Sequence, residues 1–140
     1  MKILLVEDSK SIRLENEEVL LKAGYQVITA EDGETALQMA QQQQPDLILL
    51  DMILPKLSGP EVLRRLKSEA KTANIPVVVV SSLTEKNRAH LLEAGAEEYL
   101  EKGLLMPRKG VNLLAKALEN VICRIERKRG INLSTVRPRD

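Results

Sequence analysis

Glu7, Asp8, Asp51, Ser81 and Lys102 each stand where an apolar run stops. Ile3-Leu4-Leu5-Val6 leads into Glu7-Asp8, Leu47-Ile48-Leu49-Leu50 into Asp51, Val77-Val78-Val79-Val80 into Ser81, and Tyr99-Leu100-Glu101 into Lys102. A single Asp at the end of a strand is more often structural than chemical. Five polar residues closing four apolar runs carry more information, provided that the fold gathers those ends. Three carboxylates brought together repel one another unless a cation sits among them. Hard oxygen donors that leave room for water suit Mg2+. A hydroxyl and an ammonium beside them suit the oxygens of a phosphoryl group. The combination describes an acidic, metal-binding site for phosphate chemistry at a nucleophilic Asp51.

The elements that must position these residues alternate between strand and helix patterns. Lys2–Val6, Gln26–Ala30, the run ending at Asp51, Pro76–Ser81 and Glu97–Glu101 read as five strands. Pro45 before four uninterrupted apolar residues marks the third as a strand covered on both faces, the signature of a parallel sheet. The fourth, with four valines, is the most β-prone and is expected to be the most buried. Helices are expected from about Lys10 to Ala23, from Asp32-Gly33-Glu34 onward, and over Pro60–Glu69. A fourth, capped by Thr84, runs to Ala94 and stops at Gly95, and a last one carries Val111, Leu114, Ala115, Leu118, Val121, Ile122 and Ile125 at helical spacing. Ile12, Val19, Leu20 and Ala23 form the inward face of the first helix, with Glu15 and Asn16 read as a tolerated polar edge. The rhythm predicts an α/β, doubly wound, five-stranded parallel sheet with helices on both faces. Right-handed crossovers then place every strand's carboxyl end on one edge, where such sheets bind ligands.

Composition limits the alternatives. The 140 residues suffice for one domain with a real core. No apolar run approaches the roughly 20 residues of a membrane helix, no secretory signal is visible, and a single Cys123 fits a reducing cytoplasm. Residues 1–106 hold 12 Lys/Arg against 17 Asp/Glu, whereas residues 107–140 hold 9 against 3, so the basic charge lies in the final helix and tail. Arg124 to Arg129 reads as a solvated helix end. Tyr25 and Tyr99 are the only aromatic residues, too few for a base-stacking surface, and direct nucleic-acid binding is not expected. His90 reads as a solvated helix residue and Cys123 as partly exposed packing.

Over residues 1 to about 125 the sequence resembles the receiver (CheY-like) domain of two-component response regulators. The matching stretches are Leu5-Val6-Glu7-Asp8-Ser9, Asp46 to Gly59, Pro76 to Ser82 and Gly95 to Lys102. The resemblance implies the flavodoxin-like strand order 2-1-3-4-5. It implies that Asp51 accepts a phosphoryl group from a sensor histidine kinase or phosphotransfer protein, with Asp8 on Mg2+ directly, Glu7 largely through water, and the Ile53 backbone carbonyl completing the protein ligands. Ser81 follows the phosphoryl group, Tyr99 changes rotamer with it, and Lys102 binds one of its oxygens. The face of the fourth helix, fifth strand and fifth helix then shifts to control a downstream target, an output domain or a homodimer. Such a chain is a cytoplasmic phosphoacceptor regulator and not an enzyme in the ordinary sense. Residues 1–125 form the receiver and 126–140 a basic helix extension and tail, read as a dimer-forming, docking or linking segment.

Three departures qualify the resemblance. Gly103 follows Lys102 where the family usually has a cis proline, and the segment Gly103–Gly110 is longer than usual. Ile53 and Leu83 occupy positions that in the family help to orient the water hydrolysing the acyl phosphate. Neither side chain can hydrogen-bond, which predicts slow self-dephosphorylation. Among rival functions, a flavin or nucleotide binder would meet repulsion from Glu7-Asp8, and a dehalogenase-like phosphatase needs an Asp where Ile53 stands. A receiver-shaped interaction module working without phosphorylation is the remaining alternative.

Overall fold

The computed structural model describes residues 1–81 and 88–133. Thr84, the expected cap of the fourth helix, and Leu83 lie outside the described residues. Five strands, β1 (Lys2–Val6), β2 (Gln26–Ala30), β3 (Leu47–Asp51), β4 (Val77–Ser81) and β5 (Glu98–Glu101), pair in parallel in the order β2-β1-β3-β4-β5. The helices are α1 (Lys10–Lys22), α2 (Gly33–Gln43), α3 (Gly59–Ser68), α4 (Arg88–Glu93), α5 (Lys102–Leu105) and α6 (Leu114–Arg129).

Alternation along each strand divides the core into two layers. Leu4, Val6, Ile48, Leu50, Val77 and Val79 face one side, where Ala36 and Ala40 of α2, Val62, Leu63 and Leu66 of α3 and Leu91 of α4 cover them. Ile3, Leu5, Leu47, Leu49 and Val78 face the other, against Leu20 of α1 and the α6 stripe Leu114, Leu118, Val121, Ile122 and Ile125. Each such large side chain withdrawn from water contributes about 1.5–3 kcal/mol before entropy is counted. The helix ends follow local chemistry. Asp32 caps α2 by accepting from the Thr35 N–H at 2.8 Å. Gly95 ends the α4 segment at φ 112°, a value an L side chain rarely adopts, while the Ala96 N–H returns to the Leu91 carbonyl.

Several expectations need correction. The most buried strand is β3, closed at all five residues, whereas Val80 of β4 is half-buried. The middle place in the sheet outweighs β propensity, because only β3 has two neighbouring strands on each side. Ala23 is exposed, since it is the C-cap where the chain turns away toward Gly24. β5 starts at Glu98, and Lys102 opens the one-turn helix α5 instead of closing the strand. No cis peptide bond occurs among the described residues, so the Lys102-Gly103 link is trans.

The polar residues of α1 are not a tolerated edge. Asn16 is buried, and the Asn112 side-chain amide donates to its Oδ1 at 2.9 Å and to Glu15 Oε2 at 2.8 Å. The basic end of α6 is likewise tied down. Arg124 and Lys128 pair with the buried Glu98 at 3.1 and 2.5 Å, and Arg129 pairs with Glu97. After Gly130 the chain folds back, placing Leu133 in the α1/α6 layer with its N–H on Glu126 Oε2 at 2.7 Å. His90 and Cys123 are exposed, as their sequence contexts suggest.

Candidate functional site

Parallel pairing sets the site at the carboxyl edge of the sheet. β1 delivers Glu7 and Asp8, and its neighbour β3 delivers Asp51. Carboxylate oxygens of Glu7, Asp8 and Asp51 all lie within 4.8 Å of one another, with Glu7 and Asp51 buried and Asp8 exposed to solvent. Lys102, carried on the first residue of α5, places Nζ 2.9 Å from Asp51 Oδ2 and 3.0 Å from Glu7 Oε1. The Ile53 N–H donates to Asp51 Oδ1 at 3.2 Å, while the Ile53 side chain points into solvent at 63% exposure. In the register, Asp51 lies opposite Val80, so Ser81 stands one residue further along the neighbouring strand, buried at the same edge. Tyr99 lies opposite Val79 on β5 and is buried in the layer that contains Leu91 and Ala96.

The electrostatics of this edge favour a cation. Burial pushes the Glu7 carboxyl above its ordinary pKa. The Ser9 N–H at 3.1 Å and the Lys102 ammonium pull against that rise, and the Asp51 charge reinforces it. Burial alone would lower the Lys102 pKa, but hydrogen bonds and charge from Asp51 and Glu7 outweigh it and hold the ammonium above its usual value. Three carboxylates therefore face one ammonium. An all-oxygen set with one member open to water has the chemistry of a Mg2+ site.

The sequence reading brought together Glu7, Asp8, Asp51, Ser81 and Lys102, and it missed their supports. Arg13 of α1 donates to the backbone carbonyls of Glu7 at 2.9 Å and Asp8 at 3.4 Å, fixing the turn that presents both acids. Its only sequence signal is its place one turn into α1. Gly59 lies against the backbone of Asp51 and Met52. A Cβ there would come 2.4 Å from Met52 Cα and 2.8 Å from the Asp51 carbonyl oxygen. Ser-Gly signals a turn, but not this approach. Lys56, at φ 66°, pairs with the buried Asp32 at 3.6 Å and joins the loop after β3 to the start of α2.

Beside the site, Tyr99, Leu100, Leu104, Leu105, Leu113 and Ala117 line a groove of about 380 Å³ between β5, α5 and α6. Among the described residues no helix is long and apolar enough to cross a membrane.

Known proteins resemble the chain in sequence and in fold. Residues 3–114 match the family described as the response regulator receiver domain. The chain is 43% identical over 123 residues to a gliding motility regulatory protein of Myxococcus xanthus, covering 86% of this chain and 15% of that protein. It is 41% identical over 118 residues to the alkaline phosphatase synthesis transcriptional regulatory protein PhoP of Bacillus subtilis, covering 84% of this chain and 48% of that one. It thus spans less than half the length of either relative. A solved receiver domain of a sensor histidine kinase from Pseudomonas aeruginosa, with a magnesium ion coordinated in its active site cleft, superposes with a TM-score of 0.73 at 29% identity, covering 92% of this chain and 97% of that one. The BeF3-activated receiver domain of Klebsiella pneumoniae RstA gives a TM-score of 0.72 at 30% identity, covering 86% of this chain and 98% of that one. In sequence and in fold, this chain belongs to the receiver domains of two-component response regulators.

Proposed function

We propose that this receiver domain is a phosphoryl-accepting switch in which Asp51 is the acceptor. A sensor histidine kinase or phosphotransfer protein is the donor. An Asp51 carboxylate oxygen attacks the phosphorus, the bond to the donor's imidazole nitrogen breaks, and the nitrogen keeps the electron pair. Asp8, Asp51, the Ile53 backbone carbonyl and, largely through water, Glu7 would hold Mg2+, which when bound supplies positive charge to the phosphoryl oxygens. The observation that carries the reading is the Lys102 ammonium, shared at 2.9 and 3.0 Å between the buried Asp51 and Glu7. It is within reach of the acceptor and is the natural partner for an added oxygen anion. A receiver-shaped module working without phosphorylation gives no reason to bury that arrangement at one sheet edge.

Phosphorylation adds about 1.5 to 2 negative charges and three strong acceptors. Ser81 and Lys102 turn toward them, Tyr99 follows, and the face of α4, β5 and α6 repacks. Reversing a two-state population requires about 5.5 kcal/mol of differential stabilisation, within the range of a few charge-assisted hydrogen bonds of about 1.5–3 kcal/mol each. Control of a downstream protein, an output domain or a homodimer through that face, in the cytoplasm, belongs to the same proposal. So do slow autodephosphorylation and the division into a receiver, 1–125, and a basic extension, 126–140.

Beryllofluoride with Mg2+ tests the reading. Amide resonances of Ser81, Tyr99 and Lys102 are expected to shift in the parent protein and not in Asp51→Ala. An unchanged spectrum in the parent contradicts the proposal.

A further inference from the structure

Between Lys102 and Leu114 the chain makes a strap whose two ends both border the acidic site. At one end Lys102 touches Asp51 and Glu7. At the other, Leu114 and Asn16 line the same small cavity as Glu7 and Asp51. What holds the strap is legible bond by bond. Leu105, at the end of α5, is buried, and its carbonyl accepts from the Leu113 N–H at 2.8 Å. Asn112, immediately before Leu113, is fastened on both sides of its amide. Its Nδ2 donates to Glu15 Oε2 at 2.8 Å and Asn16 Oδ1 at 2.9 Å, and its Oδ1 accepts from the Leu114 N–H at 2.9 Å. Asn16 itself is buried, so this clamp joins the strap to a packed point on α1 beside the site.

On its amino side Lys102 follows directly on β5, whose Glu101 pairs with Ser81; on its carboxyl side little but the strap fixes it. It starts a helix of one turn with no side-chain cap, and it is followed by Gly103, which has no neighbouring atom where a Cβ would stand. A long, flexible ammonium side chain is useful to a phosphoryl group only when its backbone is held. We propose that Asn112 is a positioning residue for the phosphoryl chemistry. By clamping the strap to Glu15 and Asn16 of α1, it holds Lys102 at the distance where its ammonium meets a phosphoryl oxygen on Asp51. This rests on the switch reading above and adds to it a residue ten positions from the lysine in sequence.

Calorimetric titration of the Mg2+-loaded protein with beryllofluoride separates the two ideas. Tight binding by the parent that is lost in Asp51→Ala supports the switch reading; no binding by the parent overturns both. For the clamp, Asn112→Ala is expected to weaken beryllofluoride about tenfold in the parent, as loss of one charge-assisted hydrogen bond does. In a Lys102→Ala background the same change is expected to have less than about a twofold effect, because residues acting through one another are non-additive. Asn112→Asp is expected to be as weak as Asn112→Ala, and the pair Asn112→Asp with Glu15→Gln to recover most of the affinity. The carboxylate then accepts from the new amide, restoring a bond with donor and acceptor exchanged. Equal losses with and without Lys102, no loss in the parent, or no recovery in the exchanged pair each overturn the clamp.

Discussion

Lys102 is a cation built into a site proposed to take another. With its Nζ 2.9 Å from Asp51 and 3.0 Å from Glu7, it screens two buried carboxylates that otherwise repel. Removing it leaves those charges to the metal alone. Lys102→Ala is therefore expected to bind Mg2+ more tightly than the parent, by roughly three- to tenfold, the equivalent of about 1 kcal/mol of relieved cation repulsion. The same variant should hold beryllofluoride more weakly. Mg2+ titration by calorimetry reads the first effect, and weaker Mg2+ binding in Lys102→Ala would refute the shared-carboxylate picture. In the proposed switch, Ile53 bears on the other end of the reaction. Its side chain projects into solvent beside Asp51 and offers no hydrogen bond to an approaching water. Ile53→Asn is expected to speed loss of the phosphoryl group by roughly tenfold, the value of one positioned hydrogen bond. Decay of labelled protein after donor removal measures it, and an unchanged half-life contradicts the role given to Ile53.

Among the elements, the loop from β3 to α3 is the most tightly constrained. Gly59 N–H donates to the Met52 carbonyl at 3.1 Å, and its missing side chain lets the start of α3 lie on the backbone of Asp51 and Met52. Gly59→Ala pushes a methyl group against backbone that cannot move without moving Asp51. A loss of about 1–3 kcal/mol is expected in chemical denaturation, together with slower phosphorylation. A neutral effect on both would show that the loop yields. The strands and most helices were legible in the sequence because a period of two and a period of 3.6 leave different apolar patterns. The carboxyl-edge acids followed from topology once the strands were placed. In α1, Val19 and Leu20 were legible as inward residues but the burial of Asn16 was not, because Asn16 is satisfied by Asn112, a partner 96 residues away that no local pattern reveals. The relative burial of β3 and β4 was misjudged for a similar reason: position in the sheet is a property of the assembled strands, not of the valines in one of them.

Across the whole molecule, the ends of the sheet do different work. The carboxyl edge gathers acids around Lys102, whereas at the amino end of β5 the bases of α6 are spent on Glu97 and Glu98. Charge counts located the basic segment but could not show that its partners stand at the start of β5. Burial would raise the Glu98 carboxyl, yet hydrogen bonds from Lys128 and Arg124 outweigh it and hold the group below its usual 4.5. A carboxylate depressed on folding adds stability above its unfolded pKa, and that stability is lost as pH falls through the lower folded value. Glu98→Gln is accordingly expected to destabilise the domain at neutral pH and to flatten the loss of stability below about pH 4.5. Denaturation followed from pH 7 into acid checks this, and parallel profiles for parent and variant rule it out. Leu133, buried at the foot of α6, extends the packed structure past the helix end. Leu133→Ala is expected to cost about 2–5 kcal/mol in the same measurement, and no loss would mean that the fold-back contributes nothing.

The central claim is that the acids collected at one sheet edge make Asp51 a phosphoryl acceptor, and the most direct measurement is the mass of the protein after incubation with acetyl phosphate and Mg2+. One added phosphoryl group, traced by borohydride trapping to Asp51 and absent without Mg2+ or in Asp51→Ala, is the predicted result. An unmodified mass under those conditions, or modification at another residue, contradicts it.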